Sequence, residues 1–124
     1  MSENQKKIWV TGASSGIGKA VAEKFAKEGW KVAVSARREE ILNEMSKNEN
    51  IFSFPLDVTN FDNCKSTFDK ILNQLGNIDI CFLCSGTYDP KKEQEINIEQ
   101  NKIVMNVNYF GILNCVKSVE EYFK

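Results

Sequence analysis

Three glycines and two arginines carry most of the chemistry open to this sequence. Gly12, Gly16 and Gly18 stand between a short β-rich run, Lys7 to Val10, and a segment with helical periodicity. A turn lacking Cβ atoms can bring backbone N–H groups up to a diphosphate, and the start of a helix adds a favourable dipole. Position matters more than the glycines themselves. A dinucleotide fingerprint has to follow a strand and open an amphipathic helix, as this turn does. The spacing is G-x-x-x-G-x-G, not the commoner G-x-G-x-x-G. It is not a P-loop either, because five residues separate Gly12 from Gly18 and Ala20 follows Lys19. Arg37 and Arg38 end a second β-rich run. A guanidinium there suits a phosphate, being always charged and able to bond it in bidentate fashion.

Other chemistries are excluded by residue type. The 124 residues contain no histidine, which removes Ser-His and Cys-His catalysis and most catalytic zinc sites. The four cysteines are Cys64, Cys81, Cys84 and Cys115. Cys81 and Cys84 form a C-x-x-C inside an apolar run that reads as a strand. Residues three apart on a strand face opposite ways, so these thiols should diverge. A redox pair would sit at a helix N-terminus instead. Buried, reduced thiols are therefore expected, in a reducing compartment. No metal site is expected. Lysine plus arginine number 16 against 17 acids, a net charge of −1 with no basic footprint for nucleic acid. No apolar run approaches a membrane span, and the polar N-terminus has no signal-peptide core. These features together predict a cytoplasmic globular protein with no nucleic-acid or membrane partner.

The elements that must position the glycine turn alternate in type. The strands are expected at 7–10, 31–36, 51–56 and 78–85. Ile17, Ala20, Val21, Phe25 and Ala26 repeat at helical spacing, and Gly29 closes that helix. Ile41, Leu42 and Met45 mark a short second helix. Thr59 and Asp62 have the spacing of a capping box for a third, with Phe61, Phe68, Ile71, Leu72 and Leu75 on its apolar face and Gly76 at its end. A long helical pattern runs from about Asn97 onward through Ile98, Ile103, Val104, Val107, Phe110, Leu113, Val116 and Val119. Gly111 interrupts it for close packing. Strands alternating with helices predict an α/β fold, a doubly wound Rossmann-type parallel sheet with ligands beyond the carboxyl ends of its strands.

Thr11 to Gly18, T-G-A-S-S-G-I-G, resembles the cofactor motif of the classical short-chain dehydrogenase/reductase (SDR) family. Further resemblances follow in order: S-A-R-R at 35–38, L-D-V-T at 56–59, C-S-G at 84–86 and V-N-Y-F-G at 107–111. The resemblance implies strand order 3-2-1-4 and a cofactor site of Gly12, Ser14, Ser15, Gly16, Ile17 and Gly18. Ala36 stands where NAD-preferring relatives carry an acid. Arg37 would bind the 2′-phosphate with help from Arg38, so NADP(H) is expected over NAD(H). Asp57 would accept from the adenine amino group, with Val58 packed beside the ring. Leu83, Cys84, Ser85 and Gly86 occupy the slot of the family's N-N-A-G, with Leu83 and Cys84 in place of the two asparagines and Cys84, Ser85 and Gly86 against the cofactor ribose. Asn108 matches the Asn that supports proton relay by holding a water near a catalytic Lys.

The resemblance implies an NADP(H)-dependent oxidoreductase that moves hydride between nicotinamide and a small-molecule carbonyl or alcohol. The family's acid/base pair has the form Y-x-x-x-K. Tyr88 and Lys92 fit it literally, but Pro90 lies between them where a helix is required. Residues 1–124 are therefore expected to form an NADP-binding half-domain, a fragment missing the later strands and the catalytic Ser, Tyr and Lys, and inactive by itself. The long final helix resembles the family's main oligomer helix, which implies a homo-oligomer. A non-catalytic dinucleotide-binding or regulatory module is the alternative. A flavodoxin-like signalling domain accounts less well for the glycines together with Arg37 and Asp57.

Overall fold

A computed structural model describes residues 5–84 and 97–124. Four strands, β1 (Lys7–Thr11), β2 (Lys31–Ser35), β3 (Ile51–Ser53) and β4 (Ile80–Leu83), form one sheet in the order β3-β2-β1-β4. All three pairings are parallel, with Trp9 opposite Ala33 on one side and Cys81 on the other. The helices are α1 (Gly16–Lys27), α2 (Glu39–Met45), α3 (Phe61–Leu75), α4 (Ile98–Met105) and α5 (Gly111–Val119). A π-helical turn, Asn106–Phe110, joins α4 to α5. This is the doubly wound parallel sheet that the alternation implies.

Side chains alternate across a strand, and both faces of this sheet are covered. Ile8, Val10, Val32 and Val34 pack on one face with Ala22, Ala26, Leu42 and Met45. Trp9 and Ala33 point to the other, against Phe68, Ile71, Cys64 and Cys115 of α3 and α5. The Trp9 ring stacks on Phe68 with centroids 5.5 Å apart. Its buried indole N–H donates to Ser35 Oγ at 2.9 Å, so the aromatic area is buried without an orphaned donor. Just beyond α5, Tyr122 Oη accepts from the Ile78 N–H at 3.0 Å, tying the helix layer to the segment that leads into β4.

Several local expectations are corrected. Asn60, not Thr59, caps α3: its side chain accepts from the Asn63 N–H. The Thr59 hydroxyl is engaged by Asp57 instead. Phe61, expected on the buried face of α3, is 40% exposed because it lies in the first turn, beyond the sheet. Ala22 takes the place in the core expected of Ala20 and Ile17, and Ile17 is 70% exposed at the site. The apolar pattern expected along one helix from Asn97 is split by the π turn. Ile103, Phe110, Leu113 and Val116 are exposed, whereas Cys115 and Val119 are buried. Pairing outlasts β3, since the Phe54 and Leu56 amides still donate to Val34 and Ala36 carbonyls. The C-x-x-C thiols, Cys81 and Cys84, are half-buried rather than buried, while Cys64 and Cys115 are fully enclosed.

Candidate functional site

The first turn of α1 shows why the glycines are needed. Gly12 and Gly16 have φ of +64° and +56°, a region that costs an L-residue about 1–2 kcal/mol. A Cβ on Gly16 would meet nothing within 4 Å, so its side of the turn is open. Gly18 is different: a Cβ there would overlap the Gly12 carbonyl and lie 2.9 Å from the Gly12 carbonyl carbon. Gly18 is thus the floor on which the turn folds back, and it does not itself face the cavity. Ser15 caps the helix in extended conformation without a side-chain bond, and the first turn carries no acidic residue. First-turn amides have no intrahelical acceptor, so this end of α1 is suited to an anion.

A cavity of about 820 Å³ opens beyond the carboxyl ends of the strands. It runs past the point where strand order reverses between β1 and β4, the usual ligand crevice of such sheets. Gly12, Ser14, Ser15, Gly16 and Ile17 form its first wall, Ala36, Arg37 and Arg38 the second, and Asp57 and Val58 the third. Cys84 and Asn108 close the far side. Ser85 and Gly86 lie outside the described residues, as do Tyr88 and Lys92. Leu56 and Val107 also line the cavity. They were not singled out from sequence, because an apolar residue carries no chemical signal until its neighbours are known. The cavity is of a size that takes a cofactor. Its open glycine side, arginine wall and anion-favouring helix end fit a dinucleotide.

The Asp57–Val58–Thr59 turn is held in detail. Asp57 Oδ1 accepts from both the Thr59 N–H (3.0 Å) and the Thr59 hydroxyl (2.6 Å), and the Asp57 N–H donates to Asn63 Oδ1 (2.9 Å). The Thr59 hydroxyl holds the Asp57 carboxyl below its usual value of 3.8; burial opposes this, and the Thr59 amide and the Arg37 charge add to it. A depressed carboxylate stabilises the fold above its unfolded pKa and loses that contribution as pH falls through the lowered folded value. Thr59→Val removes the largest cause. We expect it to lower stability most near neutrality, by the worth of the lost charge-assisted hydrogen bond, with the difference from wild type shrinking as pH falls through the lowered Asp57 value. Urea unfolding at a series of pH values checks this; a stability difference that stays constant into acid would count against it.

Behind this wall two of the thiols, Cys64 and Cys115, are buried against each other. Cys115 donates to Cys64 across 3.9 Å, since the Cys64 thiol hydrogen is directed to the Val58 carbonyl at 3.6 Å. Donation to Cys64 and burial push the Cys115 thiol up, while the same bond holds Cys64 down. Burial alone pushes Cys81 up to about 12. On β1, Thr11 Oγ1 accepts from the Cys84 N–H at 3.1 Å, which sets the end of β4 against the glycine turn. Asn108 sits inside the π turn. Such turns recur at functional sites because they re-aim one side chain within a continuing helix.

The model of the short chain dehydrogenase family matches residues 6–124. Among curated proteins, a dehydrogenase/reductase SDR family protein 7-like of Dictyostelium discoideum is 31% identical over 99% of this chain and 43% of its own length. A glucose 1-dehydrogenase of Gluconobacter oxydans is 32% identical over 95% of this chain and 47% of its own. Of solved structures, ligand-free aldohexose dehydrogenase of Thermoplasma acidophilum superposes with a TM-score of 0.80 at 30% identity, covering 95% of this chain and 44% of that one. Actinorhodin polyketide ketoreductase with NADPH gives 0.83 at 26% identity, over 95% and 47%. The chain spans about half the length of the curated relatives it matches.

Proposed function

This chain belongs to the short-chain dehydrogenase family, and from that premise we propose that residues 1–124 are the NADP(H)-binding half-domain of an oxidoreductase. The reaction is hydride transfer between nicotinamide and a small-molecule carbonyl or alcohol. The nucleotide, when bound, supplies the hydride carrier. The observation that carries this reading is the one cavity that the glycine turn shares with Arg37 and Arg38. The amides of the α1 first turn hold the diphosphate, with Ser14, Ser15 and Ile17 around it and Gly18 beneath. Arg37 pairs with the 2′-phosphate and Arg38 assists. Asp57 accepts from the adenine amino group through Oδ2, its Oδ1 being held by Thr59. Val58 packs beside the ring. Cys84, with Ser85 and Gly86, backs the nicotinamide-side ribose, and Asn108 orients a water for proton relay. A non-catalytic module is not favoured, because the similar proteins named above are dehydrogenases and reductases.

A homo-oligomer formed through the final helix is supported by the exposure of Phe110, Leu113 and Val116. A reducing, cytoplasmic setting agrees with four free thiols. Among the described residues, no helix is long and apolar enough to cross a membrane. Calorimetric titration with NADPH and NADH tests the nucleotide assignment. NADPH is expected to bind at least tenfold more tightly, by the worth of one charge-assisted bidentate contact. Equal affinities would remove the assigned preference.

A further inference from the structure

We infer that Asn114, on α5, is a positioning residue for the nucleotide: its side-chain amide anchors the Val58 carbonyl and so fixes the adenine-side wall. The inference rests on the nucleotide reading of the cavity. The polar groups of the Asp57–Thr59 turn are satisfied almost wholly from nearby sequence. Asp57 is held by Thr59 and Asn63, and the Asn60 N–H returns to the Asp57 carbonyl at 3.1 Å. The Val58 carbonyl is the exception. It accepts from Asn114 Nδ2 at 2.9 Å, across 56 residues of sequence, with the weaker Cys64 thiol beside it.

The same helix presses on Val58 from below. A Cβ on Gly111 would lie 2.6 Å from Val58 Cγ2, so Gly111 lets α5 come close enough for Asn114 to reach. An α5 side chain that served only solubility would leave its amide in water. This one spends it on a backbone carbonyl of the cavity wall. Because α5 continues directly from the π turn that carries Asn108, Asn114 also sets the distance between the adenine side and the relay side of the site.

The test compares wild type with Asn114→Leu and Asn114→Gln. The probe is adenosine 2′,5′-bisphosphate, and amide hydrogen exchange is followed without ligand. Leucine fills the space but cannot donate; glutamine restores the donor on a longer arm. Asn114→Leu is expected to bind the probe about fivefold more weakly, the worth of one net hydrogen bond. Exchange should quicken at Thr59 and Asn60 while Ile8 and Val10 of β1 stay protected. Asn114→Gln should return affinity to within about twofold of wild type, a rescue that a purely structural role would not show. If wild type binds the probe and Asn114→Leu binds it equally well, the inference is overturned. If wild type does not bind it, the nucleotide reading fails by itself and exchange decides the anchor. Quickening confined to the 58–60 turn upholds it, and unchanged exchange overturns it.

Discussion

Gly18→Ala is expected to weaken NADPH binding about 10- to 100-fold, the worth of one backbone amide contact to the charged diphosphate. The new Cβ would overlap the Gly12 carbonyl and lie 3.3 Å from Ala13 Cα. Both obstacles are backbone, so no rotamer change relieves them. Either Gly12–Ala13 lifts or α1 backs away from β1, and each moves the amides that face the diphosphate. Overpacking of this kind costs about 1–3 kcal/mol, which for a domain of this size lowers the melting temperature by roughly 5–15 °C. Gly16→Ala is the informative comparison. Its Cβ would meet nothing, so only the strain of a positive φ is added. We expect Gly16→Ala to lose stability by about 1–2 kcal/mol and affinity by much less than Gly18→Ala. Calorimetry with NADPH and thermal unfolding measure both. If the two variants bind alike, steric support of the turn by Gly18 is not what shapes the site.

Arg37→Ala is expected to weaken NADPH about 10- to 100-fold and to leave NADH unchanged, from the roughly 1.5–3 kcal/mol of a hydrogen bond to a charged group. Arg37 is exposed at the cavity mouth, so the loss should shrink as salt is raised. Its charge also reaches Asp57, whose carboxyl it helps to hold down. Binding a 2′-phosphate would therefore draw the guanidinium toward the ligand at little cost to the wall, because Thr59 remains the main support of Asp57. Adding Ala36→Asp to the variant should favour NADH further, since a carboxylate there accepts from a ribose hydroxyl and repels a phosphate. Unchanged NADPH affinity in Arg37→Ala would place the 2′-phosphate elsewhere.

Much of this architecture was legible in the residues. β-rich runs such as Lys31–Ser35 marked the strands, and their alternation with helices pointed to a parallel sheet before any contact was known. The position of the glycine turn after β1 singled out Gly12, and resemblance to family motifs singled out Arg37, Asp57 and Cys84, all of which line the cavity. What stayed hidden depended on distance or register. The bond from Asn114 to Val58 joins residues that no local pattern connects. The Thr59 hydroxyl had two possible partners, and only the fold shows it turned back to Asp57 while Asn60 caps α3. The last helical stretch hides its core face from a periodic reading, because α4 buries no residue and beyond the π turn the face that α5 buries is Gly111, Cys115, Ser118 and Val119, two of them small or polar.

The two tryptophans have a use that packing alone does not suggest. Trp9 is sealed between the sheet and α3, whereas Trp30 is half-buried on the opposite layer, edge-on to Phe25 with the Lys6 ammonium 5.7 Å above its ring. Each layer of the fold therefore contains its own fluorophore. One is shielded from aqueous quenchers and the other within their reach. Emission wavelength and quenching together can report whether the α3–α5 layer and the α1–α2 layer come apart as a single unit or in sequence, without any label being added.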